Sequence, residues 1–513
     1  MNISTIFLNW QNVLRRQNRR GAFTDYEWAG YCPWRTNMKK QLVFTIVLVS
    51  IFFVFVAFNA KAKGANCCPA PCDEVCPAPC DNICQRRSNG CYLTEKSIFE
   101  SRLFENQLIG KKSRSRIQFY GWMLTGITVN NHGSTNAYGG NPNPGGASTY
   151  EYNNRRYSDG SIKRAGYNDQ SGNSSILMLE QPTDWKLNHL WIGARRDLTN
   201  RLDWGFQADF LYGTDTRYTR NWGDRSFDYD WGSGDYYPSF AQLFATVGKK
   251  DLFVKAGKFS GGFAYEGLAA PREFFYSHAN ICYGRPFVTN GVMLEWHPNK
   301  KWMFTGGWTA GVYNCIDNPF EDNGFLGKAT YNFTKDVSLT YKIFYNDKGY
   351  RNDNNIAGID CLNTLIFTWK INKKWFYMGE IAYTDNKTYT VGGTQISGNA
   401  WGLNNHLIRT LNEKWSVGFR GEFHHSHNSF FDNANVTYTT APGLAGNGGQ
   451  GCDIWTFTVA THYKINPKTT LRPEIRYDYA DYNNGYRPFG GGNDNAQRKN
   501  DQFCGGVSFI VMF

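Results

Sequence analysis

Long hydrophobic runs are almost missing from this sequence of 513 residues. The single candidate is Leu42 to Phe58, and the mean hydropathy of the chain is negative. A bundle of spanning helices needs several runs of ~20 apolar residues, so that class is excluded. Gly-x-Ser-x-Gly, HExxH and a nucleotide-binding glycine loop are also missing, which leaves no signature of a serine hydrolase, a zinc peptidase or a nucleotide enzyme. No basic patch with aromatic spacing occurs, so a nucleic-acid partner is not expected. The formal charge of +12 is partly a local effect. Residues 1–62 hold eight Lys/Arg and two Asp/Glu, and the remainder carries 47 basic and 41 acidic residues.

Glycine (53 residues) and aromatics (17 %) are abundant instead, which suits many strands joined by turns. The end of the chain sets the pattern. From Gln502 it reads Q-F-C-G-G-V-S-F-I-V-M-F, so that Phe503, Gly505, Val507, Phe509, Val511 and Phe513 share one face of a strand. The other face, Gln502 to Met512, begins polar and small. Twelve residues closing on an aromatic suit a tilted strand that crosses a bilayer, for which ~9–11 residues are needed. An open sheet would leave edge hydrogen bonds unmet in lipid, so such a strand belongs to a closed barrel.

From Arg116 onward, segments of 9–13 residues repeat this alternation. Leu202, Trp204, Phe206, Ala208, Phe210 and Tyr212 alternate with Asp203, Gln207, Asp209 and Leu211; Trp415, Val417, Phe419 and Phe423 with Ser416, Arg420, Glu422 and His424; Leu471, Ile475, Tyr477 and Tyr479 with Arg472, Glu474, Arg476 and Asp478. A charge facing lipid at mid-bilayer costs ~2–4 kcal/mol, so the charged rows must face a wet interior. Seven tight turns (198–201, 249–251, 298–301, 334–336, 372–374, 412–414 and 466–469) separate eight longer loops (130–186, 214–239, 260–287, 314–323, 347–360, 386–399, 427–451 and 482–501). They connect sixteen strands. The expected fold is all-β, a 16-stranded antiparallel transmembrane β-barrel over 116–513, wide enough for an aqueous channel.

Ahead of it, residues 38–62 read as a secretory signal peptide: Met38-Lys-Lys, the apolar run, then Ala60-x-Ala62 as cleavage site. A retained signal-anchor helix is the alternative. Residues 1–37 are either a basic leader or an extension upstream of Met38 as the start. Residues 63–115 form a cysteine-rich periplasmic segment and linker. Cys67, Cys68, Cys72, Cys76, Cys80, Cys84 and Cys91 are disulfide candidates in an oxidising compartment, within the chain or between neighbours. Their four-residue spacing and the lack of accompanying histidines disfavour a metal cluster. His424, His425 and His427 lie near Glu422, yet neighbours on a strand point to opposite faces, and ordinary rim histidines are expected there. No catalytic residue, cofactor or metal is assigned.

Several short motifs also resemble the β-barrel porin-2, OmpL-like family. They are Asp203-Trp-Gly-Phe206, Asp209-x-Leu-Tyr-Gly-Thr-Asp215, Lys255-Ala-Gly-Lys-Phe259 with Tyr265-Glu266, Phe274-Phe-Tyr-Ser-His278, Pro286-Phe287 leading to Gly291-Val292, Gly306-Gly-Trp-Thr-Ala-Gly311 and Arg472-Pro-Glu-Ile-Arg-Tyr-Asp-Tyr479. The resemblance covers about 115–513. It departs at Thr289-Asn290, where a histidine and a threonine are expected, and in the cysteine-rich leader. It implies an outer-membrane barrel that acts as a channel and brings no catalytic residues.

Together these readings predict an exported bacterial outer-membrane porin that passes small hydrophilic solutes or ions by diffusion. Its expected partners are outer-membrane lipid, the solutes, the barrel-assembly machinery through the last strand, and copies of itself as a trimer. Arg195, Asp203, Asp209, Lys342, Arg420, Glu422, Arg472, Glu474, Arg476 and Asp478 are the pore-lining candidates. Loop 260–287 is richer in apolar residues than the others and is expected to fold into the lumen. Its candidates for a constriction are Glu266, Arg272, Glu273, His278 and Arg285, with the acids facing Arg195, Arg420, Arg472 and Arg476 across the pore. Arg472 and Arg476 are expected to set ion selectivity. The rival readings are a plugged structural or adhesion barrel cross-linked through its cysteines, and an outer-membrane hydrolase.

Overall fold

Alternation of lipid-compatible and water-compatible side chains lets a strand satisfy two solvents at once, and sixteen such strands close on one another here. The computed structural model describes residues 116–132 and 185–513, apart from parts of the connections at 220–235, 283–286, 312–322, 347–358, 387–398, 427–451 and 483–498. The leader, the signal segment and the seven clustered cysteines lie outside the described residues, as does His427.

The first strands are β1 (Gln118–Asn130), β2 (Lys186–Arg196), β3 (Asp203–Gly213), β4 (Tyr237–Lys249) and β5 (Leu252–Ser260). After loop 3, the connection over residues 260–287, come β6 (Val288–Trp296), β7 (Trp302–Thr309), β8 (Gly324–Thr334) and β9 (Val337–Asn346). A small hairpin, β10 (Tyr350–Asn352) with β11 (Asn355–Ala357), stands in the next loop, and β12 (Ile359–Lys370) and β13 (Trp375–Asn386) resume the wall. A second hairpin, β14 (Tyr389–Val391) with β15 (Thr394–Ile396), precedes β16 (Asn399–Thr410), β17 (Trp415–Ser426), β18 (Cys452–Asn466), β19 (Thr469–Tyr482) and β20 (Asp501–Met512). The two hairpins have no counterpart in the alternation pattern because they lie within loops. β1 pairs antiparallel with β20 from Trp122↔Met512 to Asn130↔Cys504, so the wall has no free edge.

Three of the short turns share one device. Asn299 Oδ1 accepts from the N–H groups of Lys301 and Trp302, Asn372 Oδ1 from Lys374 and Trp375, and Asn412 Oδ1 from Lys414 and Trp415, at 2.8–3.1 Å. The asparagine side chain thus imitates a backbone turn. The tryptophan that follows each one stands at that end of the wall, as interfacial aromatics do.

The two faces are as the alternation requires. Ile475 is 53 % exposed on the outside while Arg472 and Arg476 beside it are 1 % exposed on the inside. On β17 the contrast is Phe419 at 47 % against Arg420 at 1 %. On β20, Phe503 faces outward, as does Phe513 just beyond its end, whereas Gln502, Ser508 and Met512 are buried inward.

Candidate functional site: the loop across the lumen

The inward-facing polar residues of the wall would form an ordinary wet lining if nothing covered them, but the connection between β5 and β6 crosses the barrel interior and lies over much of the wall from β9 to β20. An irregular segment has no ladder to satisfy its backbone, so every N–H and C=O it buries needs a partner. Charged wall residues supply them. Glu380 on β13 accepts from Tyr265 N at 3.0 Å, and Glu422 on β17 accepts from Asn280 N at 2.6 Å. Glu474 on β19 accepts from Tyr276 N at 2.7 Å and Ser277 N at 3.1 Å.

Cations meet the carbonyls. Arg472 donates to the carbonyls of Glu273 (2.9 Å) and Phe275 (3.2 Å), and Arg476 to that of His278 (2.8 Å) and to Asn280 Oδ1 (2.9 Å). Lys342 on β9 donates to Ala264 O at 2.9 Å. Arg285 of the loop itself reaches Thr364 on β12 at 2.5 Å and Phe263 O at 3.0 Å.

Arg420 is the central post. Its Nη1 lies 2.9 Å from Glu266 Oε1 and donates to Ser277 O at 2.6 Å, its Nη2 donates to Ser277 Oγ at 2.8 Å, and its Nε forms an ion pair with Glu422 Oε1 at 2.8 Å. Burial alone would raise the Glu266 carboxyl, but Arg420 and then His406, whose Nε2 is 3.1 Å away, hold it well below the usual carboxylate range. Burial instead keeps His278 below the ordinary histidine value. Its Nε2–H donates to Gly267 O at 2.9 Å, and its Nδ1 has no partner among the described residues.

Aromatic side chains fill the remaining gaps. Phe274 stacks on His462 with ring centroids 4.0 Å apart and planes 7° apart, and Phe275 stands edge-on to His406 at 4.9 Å under the Arg420 guanidinium. Each buried ring contributes about 2 kcal/mol to seating the loop. Wall glycines make the room: a Cβ on Gly418 would lie 2.3 Å from Phe274, and one on Gly126 would lie 2.5 Å from Tyr276 Oη.

The candidates read from the sequence therefore divide. Arg420, Glu422, Arg472, Glu474, Arg476 and Asp478 all face inward but lie beneath the loop. Asp203 is at the rim, between Arg116 and Arg196. Arg195, Asp209 and Lys342 border an open space of about 410 Å³ on the β1–β9 side, together with Arg272 and Glu273 from the loop. Of the acids, Glu266 meets a wall arginine, whereas Glu273 accepts from Gly267 N in its own loop at 2.7 Å. Arg195 bonds to Gln118 Oε1 on β1 at 2.9 and 3.0 Å.

Glu380, His406 and His462 were not singled out from sequence. Each sits on an inward parity, and that parity was the only signal. His424 is buried inward, and His425 points to the other face and pairs with Asp453 at 2.5 Å. Among the described residues no group of three or more His, Cys, Asp or Glu is placed to hold a metal ion, and Cys282, Cys361 and Cys504 are not joined in disulfides.

Residues 150–513 match the model of the family described as "Putative beta-barrel porin-2, OmpL-like". β1 precedes the matched range. No curated protein matches the chain. Among solved structures it is similar to the outer membrane channel DcaP of Acinetobacter baumannii, with 10 % identity, coverage of 79 % of this chain and 100 % of that one, and a TM-score of 0.48. It is similar as well to OprB of Pseudomonas putida (11 %, 83 % and 100 %, 0.44) and to OmpF of Salmonella typhi in complex with daunomycin (10 %, 77 % and 97 %, 0.45).

Proposed function

Because the chain belongs to the OmpL-like β-barrel porin-2 family, we propose that small hydrophilic solutes and ions cross it through the arc of lumen that loop 3 leaves open. The protein is a diffusion channel of the bacterial outer membrane, a closed cylinder of sixteen strands. The observation that carries the finer reading is the one-sided seat of the loop. Its polar backbone is satisfied against β9 to β20, and the space beside β1 to β9 stays open.

In this reading Arg272 and Glu273 narrow the path from the loop, while Arg195, Asp209 and Lys342 border it from the wall. Opposed charges at such a narrowing order water and screen solutes by size and charge. Arg472 and Arg476 act differently from the expectation of direct selectivity. They are covered, and their work is to hold the loop in place.

Single cysteines test which side conducts. Thr305 borders the open space, and Thr458 lies beneath the loop beside Arg420. In planar bilayers a charged thiol reagent is expected to cut the current of the Thr305→Cys channel and to leave that of Thr458→Cys at the wild-type response. Equal block of both would overturn the one-sided path. Residues 38–62 as a cleaved export signal and 63–115 as a disulfide-bearing periplasmic segment complete the proposal. Amino-terminal sequencing of the mature protein and electrophoresis without reductant check them.

A further inference from the structure

Loop seating engages both signs of charge, but the space beside it is lined unequally. Glu380, Glu422 and Glu474 are taken up by loop N–H groups, Glu266 by Arg420, and Asp478 by Arg476 at 2.8 Å. Six cations border the open space: Arg195, Lys255, Arg272, Lys300, Lys328 and Lys342. Only three carboxylates do so, Asp209, Glu273 and Glu295. All three are already engaged. Asp209 accepts from Tyr120 and from Gln207 and Gln242 at 2.6 Å, Glu273 accepts from Gly267 N, and Glu295 pairs with His297 at 2.8 Å.

Lys255 and Lys328 have no carboxylate within ion-pair distance among the described residues. The Lys255 ammonium lies 4.4 Å from the Phe259 ring centroid and 5.4 Å from that of Phe244, an aromatic floor that steadies the cation without neutralising it. Lys328 is the register partner of Thr305, which is the partner of Glu295, so it shares an inward row two strands from the acid. Both lysines are half-buried on the wall of the space. An oxyanion held by the two ammonium groups would gain charge-assisted hydrogen bonds.

We propose that Lys255 and Lys328 form a binding step for small oxyanions, carboxylates or phosphates, and that the channel therefore prefers anions. This rests on the open arc being the solute path. The sign of the preference follows from the lining of the open space, where six cations stand against three carboxylates and each of the three is already engaged.

The test is the zero-current potential of the full-length protein in planar bilayers under a KCl gradient, with inorganic phosphate as the added probe. Chloride is expected to permeate several times better than potassium, and millimolar phosphate to reduce the current. In K255Q/K328Q the anion-to-cation ratio should fall about threefold or more, since a charge ~6 Å from a passing ion is worth about that factor even at the dielectric of water. The phosphate effect should vanish with it. Potassium preference in the wild type would overturn the proposal whether or not the variant folds, and so would an unchanged ratio in a variant that keeps its heat-modifiable barrel. A folded barrel with no conductance would overturn the open path itself, and this inference with it.

Discussion

Replacing Arg420 by glutamine removes the one guanidinium that touches the loop acid, the loop backbone and a wall acid at once. Its side chain is fully enclosed, and its partners Glu266 and Glu422 are each at most 3 % exposed. Breaking a buried pair from one side leaves an uncompensated charge and costs about 3–5 kcal/mol. At the lower figure the ratio of seated to released loop falls about 150-fold. The wall itself should persist, because its sixteen strands are held by main-chain ladders that do not involve the loop. Single-channel recording of R420Q is therefore expected to show larger or flickering conductance and passage of larger neutral polymers. Tryptophan fluorescence should show a thermal transition several degrees lower. Adding Glu266→Gln should recover part of the loss, since the double variant no longer strands the loop carboxylate, and a coupling of about 1–3 kcal/mol is expected for groups in direct contact. Conductance and thermal stability of R420Q equal to wild type, or strictly additive effects in the double variant, would refute the idea that this cluster seats the loop.

The other predictions use steric room and protonation. Gly418→Val should push Phe274 off His462 and lower stability by about 1–3 kcal/mol through overpacking, whereas Gly421→Val, where a Cβ would meet nothing within 4 Å, should not; thermal unfolding of the two compares them. Acid should loosen the loop through His278. Burial holds this histidine low despite the nearby Glu266, Gly267 carbonyl and Asp215, which favour its charged form, and Arg420 opposes protonation further. Its folded value lies below the unfolded one, so its contribution is complete above about pH 6.5 and is lost as pH falls, by up to ~1.4 kcal/mol per unit. Glu266 remains charged through that window. Conductance should therefore rise between about pH 6.5 and 5, and His278→Gln should remove that step. A pH-independent wild type would count against a neutral, buried His278.

Strand number, inward and outward faces and the short Asn-bearing turns were legible in the sequence to within a few residues. The alternation of Trp204, Phe206 and Ala208 with Gln207 and Asp209 is imposed locally, by lipid on one side and water on the other, and each strand reports it without help from its neighbours. The loop's apolar character likewise announced that 260–287 packs against something. Which inward charges it would cover was not written there. Glu474 meets Tyr276 across 198 positions of sequence, and Glu380 meets Tyr265 across 115.

Sequence alone thus determined a closed barrel with a polar interior, because one-dimensional periodicity encodes which solvent each side chain meets. Only the tertiary structure decided that Arg472 and Arg476 serve the loop while Lys255 and Lys328 border open space. That division depends on where an irregular backbone, short of its own hydrogen-bond partners, comes to rest against a curved wall, and no periodicity records the choice.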